Sequence, residues 1–71
     1  MKRNLQLRDS SNVSSAEYDS DIKELSVHFV SGGHGAYVGV PEEEVNAFEQ
    51  ADSPGKYLHN YLKPRFPWVR R

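Results

Sequence analysis

The chain has 71 residues, a formal net charge of −1 and no cysteine. That length allows one modest core and no second domain, and the missing thiols exclude disulfides, thiolate zinc sites and a cysteine nucleophile. No apolar run is long enough to cross a bilayer, and Met1-Lys2-Arg3 is followed by polar residues rather than a signal-peptide core, so the expected setting is the cytoplasm and no membrane contact.

Residues 1–10 lack periodicity and read as a partly ordered lead, with a single domain over 11–71. Leu5 and Leu7 have strand spacing and admit a short extra edge strand. Val13 to Tyr18 reads as a first strand, although its two-residue period breaks between Val13 and Ala16. Asp19-Ser20-Asp21 is turn chemistry, because short polar side chains bond their own backbone. Lys23 to Val30 is the clearest strand, alternating Leu25, Val27 and Phe29 with Ser26, His28 and Val30. Ser31-Gly32-Gly33 supplies the positive φ of a tight hairpin. His34 to Val40 returns as a third strand, with Ala36, Val38 and Val40 on one face and Tyr37 on the other.

Pro41 then opens a helix, since its missing N–H costs nothing in the first turn. Glu42, Glu43 and Glu44 follow at the end where the helix dipole favours negative charge. Val45 and Phe48 face inward and the helix ends near Ala51. Ser53 is the N-cap candidate for a second helix, Gly55 to Leu62, with Pro54 in its first turn. Tyr57 with Tyr61 and Leu58 with Leu62 form its inward stripe. Pro64 and Pro67 turn Arg65 to Arg71 into an extended tail carrying Phe66 and Trp68. The expected architecture is α+β: a three-stranded antiparallel meander followed by two short helices packed on one face, βββαα.

The fragments Ser10-Ser11-Asn12-Val13, Tyr18-Asp19, Leu25-Ser26-Val27-His28-Phe29, Ser31-Gly32-Gly33, Tyr37-Val38-Gly39-Val40-Pro41, Ser53-Pro54-Gly55-Lys56-Tyr57-Leu58 and Arg65-Phe66-Pro67 follow one another in that order. Together they resemble the KTSC domain, a module found at the C-terminus of some lysyl-tRNA synthetases and as small stand-alone bacterial or phage proteins. The resemblance covers roughly residues 10–70 and implies a small α+β fold without a known activity. Its link to a synthetase suggests RNA. The centre of the family typically reads Tyr-x-Tyr, and here Gly35 stands in the first position while Tyr37 keeps the second. A packing pair would then have a gap for another group to fill; a binding pair would have lost half of itself.

The chemistry-bearing residues point away from catalysis. His28, His34 and His59 lack the i, i+4 spacing that aims two ligands at one metal and read as surface histidines. Ser11, His28 and Asp19 can be drawn as a nucleophilic set, but a chain this short has little room for a deep pocket beside its core. Glu42, Glu43 and Glu44 sit where the ionised form is favoured, unlike a general acid. Gly32-Gly33-His34-Gly35 joins strand to strand and lacks the helix N-terminus of a phosphate loop. The expectation is no enzyme, no metal and no cofactor.

What remains is charge asymmetry. From Ser53 onward there is no acidic residue, while Lys56, Lys63, Arg65, Arg70 and Arg71 lie beside Phe66 and Trp68. Cations neutralise phosphates and aromatic faces stack on unpaired bases, so Lys56, Lys63, Arg65, Trp68, Arg70, Arg71 and Tyr37 form a candidate surface for RNA, tRNA or single-stranded nucleic acid. The bland reading makes Phe66 and Trp68 core anchors. The rival function is a protein-interaction module docking on a larger partner, which an apolar groove around Tyr37 would favour.

Overall fold

The computed structural model describes residues 1–8 and 12–71. Its strands are β1 (Lys2–Asn4), β2 (Val13–Asp19), β3 (Glu24–Phe29), β4 (His34–Val38) and β5 (Trp68–Arg70). They make one antiparallel sheet in the order β1-β2-β3-β4-β5. Between β4 and β5 lie α1 (Glu42–Gln50) and α2 (Pro54–Tyr57), the latter running straight into a π-helical turn, Leu58–Leu62.

The α+β class is as expected, but among the described residues the sheet has five strands instead of three. The meander is β2, β3 and β4. Asp21 N–H donates to Asp19 Oδ1 at 3.1 Å in the first turn, as the polar triplet implies. In the second, Gly32 takes φ +102°, a conformation that suits glycine. The two added strands flank this meander. Lys2–Asn4 pairs with β2, just before Leu5 and Leu7 rather than through them, and Leu5 enters the core. The extended tail after Pro67 pairs with β4. Edge strands of three residues carry no readable alternation; pairing with an existing neighbour creates them. The boundary expected between residues 10 and 11 lies outside the described residues.

Cross-strand register fixes which side chains share a face. Leu25 is opposite Tyr37, and Tyr37 is opposite Trp68. Tyr37 therefore faces the core with Leu25, Val27, Ala16 and Tyr18, while Ala36 and Val38 take the far side. The core seals when Val45 and Phe48 of α1, then Leu58 and Leu62, pack on this face. Tyr18 lies within it, its hydroxyl donating to Val40 O at 2.6 Å, so the buried phenol is satisfied. Both helices thus cover one face. Their caps differ from expectation: Ser53 occupies the N-cap of α2 without a side-chain bond, and Tyr61 is 52% exposed, which narrows the inward stripe to Leu58 and Leu62 with Tyr57 half-buried. Among the described residues, no helix is long and apolar enough to cross a membrane.

Candidate functional site

Where β5 joins the sheet, the end of the hairpin and the second helix fail to meet. They leave an open cleft of roughly 630 Å³. Its apolar walls are Val13, Phe29, Tyr37, Leu58 and Trp68, and its rim carries His59 and Lys63. Among the described residues, no aspartate or glutamate lines it. The π-helical turn helps to build the rim: Lys63 N–H donates to Leu58 O at 2.8 Å, closing an i to i+5 turn. Leu58 and Lys63 thereby sit one wide turn apart and both reach the cleft.

Trp68 is the main feature of this cleft. Its ring lies 4.7 Å from the Tyr37 ring and 5.8 Å from that of Phe29, in tilted arrangements favourable to aromatic pairs. Tyr37 is buried and Trp68 is 41% exposed. Burial also pushes the Tyr37 hydroxyl above its usual pKa of 10.0, so it stays protonated at neutral pH. The indole leans across the sheet over Gly35, where any Cβ would drive into the Trp68 ring. The gap left by Gly35 at the family's aromatic position is therefore filled, by a side chain from the next strand. Trp68 is neither a wholly buried anchor nor a free tail residue.

The other expected site residues are divided. Tyr37, Trp68 and Lys63 meet in the cleft. Arg65 instead donates to Glu44 Oε1 at 2.6 Å, and Tyr57 Oη donates to Glu44 Oε2 at 2.7 Å. These bonds, the tyrosine's foremost, hold the Glu44 carboxyl below its ordinary pKa, while burial and Glu44 push Tyr57 up to about 12. Arg71 bonds Glu24 through Nε and Nη2, off the cleft. Each of these two arginines of the basic C-terminal segment thus has a carboxylate partner. Lys56 and Arg70 are exposed and form no ion pair among the described residues. Phe66 is half-buried against the core, as the anchor reading requires.

The histidines also depart from a simple surface reading. His28 and His34 stand opposite one another on β3 and β4, half-buried, with ring centroids 3.8 Å apart and planes within 12°. Parallel stacked rings set their nitrogens side by side instead of aiming them at one point, and no third ligating side chain joins them among the described residues. His59 is the exposed one and belongs to the cleft rim. Of the drawn nucleophilic set, Ser11 lies outside the described residues, and Asp19 is occupied by the Met1 amino group and the Asp21 N–H.

The cleft was hinted at by Tyr37, Trp68 and Lys63 but its remaining walls were not. Val13, Phe29 and Leu58 look like ordinary core positions in sequence, and only closure of β5 on β4 aligns them.

Comparison with known proteins places this geometry in a family. The chain is 39% identical over 56 residues to an uncharacterized protein of Stutzerimonas stutzeri, covering 79% of each. It is 33% identical over 58 residues to a protein of Tsukamurella paurometabola, covering 82% of this chain and 87% of the relative. The crystal structure of a KTSC domain protein from Yersinia pestis superposes with a TM-score of 0.88 at 30% identity, covering 100% of this chain and 99% of the other. The family model for the KTSC domain matches residues 9–66, a span that includes the meander and both helices and stops short of Trp68. The chain belongs to the KTSC domain family.

Proposed function

We propose that this KTSC domain is a non-enzymatic, cytoplasmic binding module whose Trp68 cleft receives an apolar side chain from a protein partner. The observation that carries this reading is a half-exposed tryptophan set over an aromatic floor in a cleft that no acidic residue lines among the described residues. An exposed apolar surface of this kind is costly to leave in water, and rigid aromatic rings make efficient contact anchors. Tyr37 contributes to the floor and not to an exposed stacking surface.

A second reading retains single-stranded RNA or DNA as the ligand. It is supported by the Trp68 indole and the Lys63 ammonium sharing one cleft, since a base could stack while its phosphate meets the cation. It has fewer cations to use, with Arg65 and Arg71 engaged by Glu44 and Glu24. The single tryptophan allows one experiment to separate the two. The chain and its Trp68→Ala variant serve as baits, with and without nuclease treatment, alongside a titration of tRNA and single-stranded DNA at low salt. Protein docking predicts a partner retained after nuclease and lost with Trp68→Ala. A partner lost on nuclease treatment, together with micromolar tRNA or DNA binding, would replace it with the nucleic-acid reading. Capture indifferent to Trp68 would remove the cleft from both.

A further inference from the structure

β5 closes one side of the sheet with backbone groups still to spare. Val38 N–H donates to Pro67 O at 3.0 Å and Arg71 N–H donates to His34 O at 3.1 Å, so residues 67 and 71 face β4. In an antiparallel ladder the bonding direction alternates. With Trp68 opposite Tyr37 and Arg70 opposite Gly35, the N–H and C=O groups of Trp68 and Arg70 point away from β4, toward the open edge. No turn, loop or cap bond among the described residues uses them. All three residues of β5 are exposed.

Among the described residues, the charges left unpaired beside this edge are cationic. Arg70 shares the Trp68 face of the strand and has no ion pair among the described residues, Lys63 stands on the cleft rim, and no carboxylate of the described residues lines the cleft. Cations held without counter-charges beside unpaired strand groups suit an extended, acidic segment.

We infer that β5 is the acceptor edge for a sixth strand, supplied by an extended acidic peptide of a partner protein. The inference rests on the protein-docking reading of the cleft and specifies its occupant. The peptide backbone bonds the free N–H and C=O groups of Trp68 and Arg70. One of its apolar side chains enters the cleft against Trp68, and its carboxylates meet Lys63 and Arg70. Alternation along a strand directs every second side chain to the cleft face, so the recognised segment alternates in character.

The test pans the full chain against a display library of random dodecapeptides, then follows the enriched peptide by amide NMR and hydrogen exchange. The inference expects enriched sequences with glutamate or aspartate beside a bulky apolar residue. It expects slowed exchange at the Trp68 and Arg70 amides, and loss of binding when the matching peptide amides are N-methylated. Arg70→Glu and Lys63→Glu, both at exposed positions, are expected to weaken binding about tenfold each. Binding that perturbs the cleft but survives N-methylation and leaves those amides unprotected would overturn strand addition while leaving the docking reading standing. Enrichment of basic peptides would overturn the acidic assignment. No enrichment, together with single-stranded polyuridylate binding that shifts Trp68, would overturn both.

Discussion

The two edges of the sheet are built from strands of equal length and finished in opposite ways. At β1, Arg3 bonds Glu49 Oε1 at 3.1 Å and Asn46 Oδ1 at 3.0 Å, and Gln6 N–H donates to Glu49 Oε2 at 2.7 Å. The Met1 amino group adds contacts to Asp19 and Asp21. This edge is tethered to α1 and to the first turn by charge. At β5, the side chain over the core face is Trp68, the helix beside it stands off, and the cation on that face, Arg70, has no ionic partner among the described residues. Exposed edges invite unwanted pairing, and proteins guard them with charge, proline and short length. The brevity of β5 supplies part of that guard, but the adjoining apolar cleft works against it. One edge is tethered by charge; the other keeps a half-exposed indole and a cation without an ionic partner among the described residues.

Four perturbations probe this contrast, in decreasing order of expected effect. Phe48 is fully buried on α1, the helix that tethers β1. Phe48→Ala should cost about 3–5 kcal/mol in denaturant unfolding, enough to threaten folding of a domain this small. A cost under about 1 kcal/mol would show that α1 is not seated on the sheet as described.

Gly35→Ala comes next. Its Cβ meets the Trp68 ring, so the indole must leave its place on the sheet. We expect destabilisation of about 1–3 kcal/mol and a red-shifted Trp68 emission, read from unfolding curves and fluorescence. Unchanged emission would place Trp68 elsewhere.

The third perturbation is acid. The Gln6 N–H, followed by Arg3, holds the Glu49 carboxyl below its ordinary pKa of 4.5, as Tyr57 and then Arg65 hold that of Glu44. A carboxyl with a depressed folded-state pKa stabilises the fold fully above its unfolded value, and that contribution is lost as pH falls through the folded value. Stability should therefore hold from neutrality down to about pH 5 and decline below pH 4.5. Glu49→Gln should flatten the decline and raise amide exchange at β1 while leaving β5 unaffected. Equal loosening of both edges would undo the contrast.

Smallest is the effect on folding of the cations near β5. Lys63→Ala and Arg70→Ala should shift stability by about 0.5 kcal/mol or less, because neither makes an ion pair among the described residues. A larger loss would mean that these side chains serve the fold and not a ligand.

Much of the central architecture was legible because its signals are local. Leu25 and Val27 alternate within one strand, Gly32 marks its turn, and Pro41 with three glutamates announces α1. What escaped depends on partners distant in the chain. Arg65 finds Glu44 across 21 positions and Arg71 finds Glu24 across 47, so a run of basic residues looks free in sequence when two of its members are not. Tyr37 was read on the face opposite Ala36, correctly, but which of those faces lies under the helices is set by its register with Leu25. The gap at Gly35 was visible, whereas its occupant was not, because Trp68 reaches it only after β5 pairs with β4. His28 and His34 are likewise brought into a stack by hairpin register.

The central claim is that ligand contact occurs at the Trp68 cleft, and this chain's single tryptophan reports on it directly. The decisive measurement is acrylamide quenching of Trp68 emission in the free chain and with the peptide enriched on it. The account predicts partial accessibility of the free indole, as its 41% exposure implies, and a blue-shifted, quencher-protected emission on binding. Tight binding that leaves Trp68 emission and quenching unchanged would contradict it.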